Sequence, residues 1–284
     1  MKAAFPVLAL GISGVLFLAC FPSLDGLTGG VADGGSGADT GGKGDAGVDV
    51  AALDGAASIE AGPWCATNGA PGSFCCDFDT DDLTVFNDTK LYNGATVSLD
   101  TEAASSPPRS LLVKTPVNQA ASPDAGAFSE GHVHYISTPG ATAFAEVALT
   151  FRIDKAATLQ SVGLVVFRFV GPDRNYEARL LLETDRRLFI SEFDTKTLVY
   201  AEPFRASTPI PVGTWVRAKF RVELLASGSG RADLEIDGTP VATAVTLKPF
   251  HPKGELRTDI GATYVKTPND GWTVRIDDLL ISPK

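Results

Sequence analysis

The sequence predicts an all-β protein folded as a two-sheet antiparallel sandwich, and three observations carry that expectation. From residue 83 onward the apolar residues recur with the period of a strand, not of a helix. Turn signals such as "GPDRN", "TDRR", "FDTKT", "SGSG" and "DG" separate the apolar runs at short intervals. The foldable part is long enough for one sizeable core, and no stretch shows a long helical stripe. Many short strands in one domain of this size pack as two layers.

The chain has 284 residues, and its first 62 are not expected to join that core. Residues 1–20, "MKAAFPVLALGISGVLFLAC", carry a lysine, a short apolar run and Ala19-Cys20, the pattern of an export signal. "FLAC" resembles a bacterial lipobox, although Phe17 stands where leucine is usual. That resemblance implies lipid attachment at Cys20 and, with Phe21 following instead of aspartate, an outer-membrane or cell-surface address. Residues 21–62 are Gly, Ala and Asp with seven acids against Lys43, a net charge of −6 within a chain total of −10. Such a segment buries too little to offset its ordering entropy and is expected to be a disordered tether. Residues 63–284 then form one domain, expected to be monomeric, with the lipid as its only contact with membrane. An acidic domain without an aromatic-interleaved basic patch excludes nucleic acid as a partner.

Strands are expected in order at 110–115, 132–137, 145–153, 161–170, 176–184, 187–193, 197–202 and 215–225. Four more follow at 232–236, 240–247, 256–265 and 271–281. "WVRAKFRVELL" alternates most cleanly, with Val216, Ala218, Phe220, Val222 and Leu224 on one face and cations on the other. In "WTVRIDDLLI", Trp272, Val274 and Ile276 share a parity that Leu279 and Ile281 break, so a β-bulge is expected at Asp277-Asp278. Asp237-Gly238 reads as a hairpin turn, because both positions tolerate positive φ.

"FCCDFD", the Trp after "PVGTW", "LEIDGTPV", "DIGAT" and "WTVRIDDLLI", in that order, resemble a concanavalin A-like lectin/glucanase jelly roll of the laminin G-like kind. The resemblance covers 74–284 and implies two curved sheets with carbohydrate bound on one face or at the rim. Glucanases of this type use Glu-x-Asp-x-x-Glu. Glu235 and Asp237 match, but Pro240 occupies the third place and cannot donate a proton. The resemblance also implies a structural calcium among Asp77, Asp79, Asp277 and Asp278, on first and last strands expected to be neighbours.

Cys65 is expected to close a loop with Cys75, with Cys76 as the competing partner. His132 and His134 share a strand face without a third ligand and are expected to be exposed. Trp215, Arg217 and Arg221 share a solvent-side parity, and Arg168 and Arg179 occupy comparable outward positions. Together they form a candidate surface for stacking sugars and pairing acidic substituents. No motif of a lyase is evident along the chain. The expected function is therefore a non-catalytic, lipid-anchored, glycan-binding surface protein. A divergent glycoside hydrolase or polysaccharide lyase and a structural envelope component are the alternatives.

Overall fold

The computed structural model describes residues 63–284 apart from 80–82, 119–127, 138–143, 226–227, 251, 253 and 284. The leader, Cys20 and the acidic segment 21–62 lie outside the described residues. A single-turn helix, α1 (Pro63–Asn68), precedes β1 (Phe74–Cys76), β2 (Asp88–Tyr92), β3 (Thr96–Asp100), β4 (Ser110–Lys114) and β5 (Phe128–Ile136). Next come β6 (Phe144–Lys155), β7 (Val162–Val170), β8 (Asn175–Leu182), β9 (Arg187–Asp194) and β10 (Val199–Pro209). The last five are β11 (Trp215–Glu223), β12 (Gly230–Ile236), β13 (Thr239–Leu247), β14 (Leu256–Lys266) and β15 (Thr273–Pro283).

These strands form two antiparallel sheets of a jelly-roll sandwich. The first runs β13-β12-β11-β6-β15-β4-β3, with β1 also paired to β15, and the second runs β10-β9-β8-β7-β14-β5-β2. The apolar parity of each strand faces the other sheet: Phe167 of β7 stacks on Phe220 of β11 with ring centroids 5.4 Å apart. Phe151, Leu149, Ile276, Leu180 and Trp272 are fully buried beside them. At about 25 cal/mol per Å² of apolar surface, this shared interior is the main force holding the layers together.

Local details follow the sequence closely in the first sheet. Asp237 and Gly238 both have positive φ (49° and 76°), and the turn joins β12 to β13. Asp237 also accepts a hydrogen bond from the backbone N–H of Arg217 at 2.9 Å, a role in holding the turn. The register of β15 against β6 shifts between Asp277 and Leu280, with Asp278 at φ 50°, and places Ile276, Leu279 and Ile281 in the core. β1 pairs with β15, so the first and last strands of the domain are neighbours. A Cys65–Cys75 disulfide ties α1 to β1, and Cys76 is a buried free thiol.

The two sheets differ on their outer faces. β11 alternates buried and exposed residues, as a strand with one wet face should. β8 and β9 are buried on both faces. The outer face of the second sheet nevertheless carries acids, arginines and histidines instead of a second apolar layer. Burying such groups is costly unless they are mutually paired, and their pairing defines the site.

Candidate active site

Strand register assembles this face from segments far apart in the chain. Arg179 of β8 lies between Ser191 of β9 and Val166 of β7. Val166 pairs with Asp259 of β14, Asp259 with His134 of β5, and His134 with Asp88 of β2. A neighbouring row runs Phe193, Glu177, Arg168, Arg257 across the same strands. On the other side His132 sits between Gly261 and Lys90. With strands about 4.8 Å apart, the row from β9 to β2 spans about 24 Å.

Glu177 is the hub of one half. Its Oε1 accepts from Arg168 Nε at 2.8 Å, and its Oε2 accepts from Arg179 Nη2 at 2.5 Å and from the Tyr264 hydroxyl at 2.8 Å. Burial opposes ionisation of Glu177, but the charges of Arg179 and Arg168 outweigh it and hold the carboxyl below its ordinary range. Arg179 is further fixed by stacking, its guanidinium 4.1 Å from the Tyr264 ring centroid and 4.9 Å from that of Phe193.

Tyr264 reaches this face through a bulge. Continuing the parity of Ile260 and Ala262 would point it into the core, but the register shifts between Ala262 and Val265. Tyr264 takes a left-handed φ of 57°, and Val265 fills the core instead. The Tyr264 N–H donates to Glu130 Oε1 at 3.0 Å, which ties the bulge to β5. Burial and the neighbouring Glu177 raise the Tyr264 hydroxyl above the ordinary tyrosine range, so it stays protonated. Burial likewise pushes Glu130 up to about 7.

Asp259 is the hub of the other half. His134 Nδ1 hydrogen-bonds to Asp259 Oδ1, His132 Nε2 lies 3.7 Å from the same oxygen, and Arg168 Nη2 lies 4.0 Å from Oδ2. Burial of Asp259 is outweighed by the His134 hydrogen bond and the neighbouring cationic groups, so its carboxyl is held low and ionised. Burial depresses His132, whose Nδ1 has no partner, and keeps that imidazole neutral. Gly261 permits this packing. It adopts φ 149°, and a Cβ there would lie 2.5 Å from the Gly131 carbonyl oxygen and 2.7 Å from His132 Cα.

The sequence-derived sites fare unevenly. Arg168 and Arg179 do project from the outer face of the second sheet, in the centre of this cluster. Trp215, Arg217 and Arg221 lie on β11 in the first sheet, on the opposite side of the sandwich, so the five residues do not form one surface. Parity within a strand cannot tell which sheet the strand joins. Arg217 instead stacks over Trp64 at 5.6 Å and Arg221 over Phe144 at 4.7 Å. His132 and His134 are buried, not exposed, because each is flanked by polar side chains of the adjacent strands, Asp259 of β14 on one side and Asp88 and Lys90 of β2 on the other.

The four aspartates gather where β1 pairs with β15. Asp277 Oδ2 accepts from the N–H groups of Ser105 and Ser106 at 2.7 and 2.9 Å, and Asp278 accepts from Ser106 Oγ at 2.6 Å and Thr150 Oγ1 at 3.3 Å. Asp77 Oδ2 and Asp79 Oδ1 are buried without hydrogen-bond partners, and a calcium ion there would need carbonyl and water oxygens as well. Among the described residues no three His, Cys, Asp or Glu side chains are placed to hold a metal.

Lys90, Glu177, Asp259 and Tyr264 escape sequence reasoning altogether. The one available signal for Tyr264 is the apolar Val265 breaking the parity of Ile260 and Ala262.

No family model matches the sequence, and no curated protein does. Solved structures share the fold. The endo-β-1,4-glucuronan lyase of the fungus Trichoderma reesei superposes with TM-score 0.54 at 13% identity, over 74% of this chain and 95% of that one. An alginate lyase from Aplysia kurodai gives 0.52 at 11%, over 75% and 98%. An alginate lyase from Chlorella virus gives 0.52 at 10%, over 74% and 100%.

Proposed function

We propose that the chain is a polysaccharide lyase that cleaves beside a uronate by β-elimination. The observation that carries this reading is the convergence of three groups on one polar face. They are an imidazole anchored to an ionised carboxylate, an arginine, and a tyrosine kept protonated. Elimination at a 4-O-linked uronate needs a base for the C5 proton, positive charge beside the carboxylate, and an acid for the leaving oxygen.

Asp259 fixes His134 with its proton on Nδ1, so Nε2 carries the lone pair that takes the C5 proton. The electrons of the C5–H bond form the C4–C5 double bond, the C4–O bond breaks, and the leaving oxygen takes the Tyr264 phenolic proton. Arg168 is more exposed than Arg179 (side chains 29% and 10%) and is the arginine placed to meet the substrate carboxylate. Glu177 positions Arg168 and Tyr264 together. Proton return from His134 to Tyr264 through solvent closes the cycle.

This reading replaces the non-catalytic glycan-binding protein expected from the sequence. That expectation is overturned by the fold's likeness to glucuronan and alginate lyases. Export and lipid attachment at Cys20 remain part of the proposal and would hold the enzyme at the cell surface.

The test is incubation of the chain with uronate polysaccharides while following the ultraviolet absorbance of the conjugated unsaturated product. The absorbance should rise with the wild type and vanish with His134→Ala and Tyr264→Phe. New reducing ends without that absorbance would replace elimination by hydrolysis, and no cleavage of any uronide would overturn the reading.

A further inference from the structure

On the lyase reading just given, we infer that the substrate is a heteropolysaccharide with isolated uronates among neutral sugars, not a polyuronate. The argument is the charge balance of the outer face of the second sheet. A polyuronate presents a carboxylate on every sugar, so a surface built for it needs unpaired cations along its length. Here the cations along the middle of the face are matched internally, and among the described residues Lys266 at the end of β14 is the exposed cation left beside them. Arg168 and Arg179 share Glu177, and Lys90 pairs with Asp88. Arg257 pairs with Glu255, while Arg205 holds Glu202 at 2.7 Å and Glu183 at 3.0 Å. Asp259 and Glu130 add further acid beside the histidines.

Among the described residues, one place on this face combines a partly exposed guanidinium with an acid–base set, and that place is Arg168. One uronate is recognised there. Flanking sugars meet aromatic rings at both edges of the sheet. Tyr92 on β2, opposite Glu130, is 43% exposed, and Tyr200 on β10, opposite Phe193, is 49% exposed. Exposed tyrosine faces stack on sugar rings and are indifferent to charge. The acids around Arg205 and Arg257 act against a second and third carboxylate, selecting by repulsion as well as by attraction.

The experiment compares the chain on gellan, whose glucuronates are separated by neutral sugars, with glucuronan and alginate, each across a salt series. Gellan should be cleaved fastest, with rates changing within about threefold between about 0.05 and 0.5 M salt, because few long-range charge contacts are screened. The triple variant Glu183→Gln/Glu202→Gln/Glu255→Gln, which frees Arg205 from both its carboxylates and Arg257 from its one without touching the catalytic set, should raise the rate on glucuronan about tenfold and leave gellan unchanged. Faster cleavage of glucuronan or alginate than of gellan by the wild type, with steep salt dependence, overturns the inference and leaves the lyase reading intact. Absence of unsaturated product from all three overturns both.

Discussion

The Tyr264 hydroxyl lies 2.8 Å from Glu177 Oε2, although 87 positions separate the two residues in the chain. The contact exists because β7 stands between β8 and β14 and because a bulge turns Tyr264 away from the core. On the lyase reading it keeps the phenol protonated at rest, and the proton turns from Glu177 to the leaving oxygen when substrate is bound. Tyr264→Phe removes the proton donor but keeps the ring that stacks on Arg179, so the fold should survive. kcat should drop about 100- to 10,000-fold with KM nearly unchanged, measured by initial rates of unsaturated product.

The same contact shapes the pH profile. A tyrosine at its ordinary value of 10.0 would lose its proton in mild alkali, but burial and Glu177 hold Tyr264 above that value. Activity limited by the acid should therefore persist through pH 10. A kcat/KM profile falling with a midpoint at the ordinary tyrosine value would contradict the assignment of Tyr264 as proton donor.

Glu177 answers to a different measurement. Its carboxylate neutralises the buried Arg179 and the partly exposed Arg168, and removing one partner of such a cluster leaves uncompensated charge. Glu177→Ala should cost about 3–5 kcal/mol in denaturant unfolding. Glu177→Gln should cost less and should raise KM as well as lower kcat, because Arg168 loses its anchor.

Much of the fold is legible in the sequence, and the reasons are local. The alternation of "WVRAKFRVE" needs only that one face be dry, and β11 has that pattern. The Asp277-Asp278 bulge shows because Leu279 and Ile281 change parity. The identical signal at Val265 points to the Tyr264 bulge, yet its meaning depends on β5 and β7 flanking that strand. β2 is illegible for another reason: as an edge strand it buries no apolar stripe, so "DTKLY" carries no period, and Lys90 is lost with it. The site as a whole is invisible along the chain because Glu177, Asp259 and His134 each occupy parities that read as solvated. Only sheet order brings them into one row, and the same order separates Trp215 from Arg168.

Asp277 makes stability pH-dependent. Burial and the charge of Asp278 push its carboxyl up to about 7 from 3.8. A raised carboxyl means the unfolded chain releases its proton first. The contribution of Asp277 to stability is therefore greatest below pH 4 and declines as pH rises towards 7, where the loss levels off, whereas the lowered carboxyls of Glu177 and Asp259 contribute in the opposite direction. Glu130, pushed up to about 7 from 4.5, acts in the same direction as Asp277. Depression of His132 opposes this below its ordinary 6.5, since the unfolded state then binds the extra proton. Asp277→Asn keeps an acceptor for the Ser105 and Ser106 N–H groups and removes the titration. The decline of Tm between pH 4 and 7 should flatten in that variant, and an unchanged slope would assign the dependence to other groups.

Gly261 is where the site and the scaffold are least separable. Its φ of 149° is strained for any side chain, and a Cβ would strike the Gly131 carbonyl and His132 Cα across the β14–β5 ladder. Gly261→Ala must therefore push β5 away from β14, and β5 carries both histidines. We expect a loss of about 1–3 kcal/mol in unfolding. A larger effect is expected on activity, because Asp259 and His134 form a directly paired couple two residues further along the same ladder. Restoring stability with an added salt such as sulfate should recover the melt but not the rate. Recovery of both together would mean that the glycine serves packing alone and that the Asp259–His134 geometry tolerates the shift.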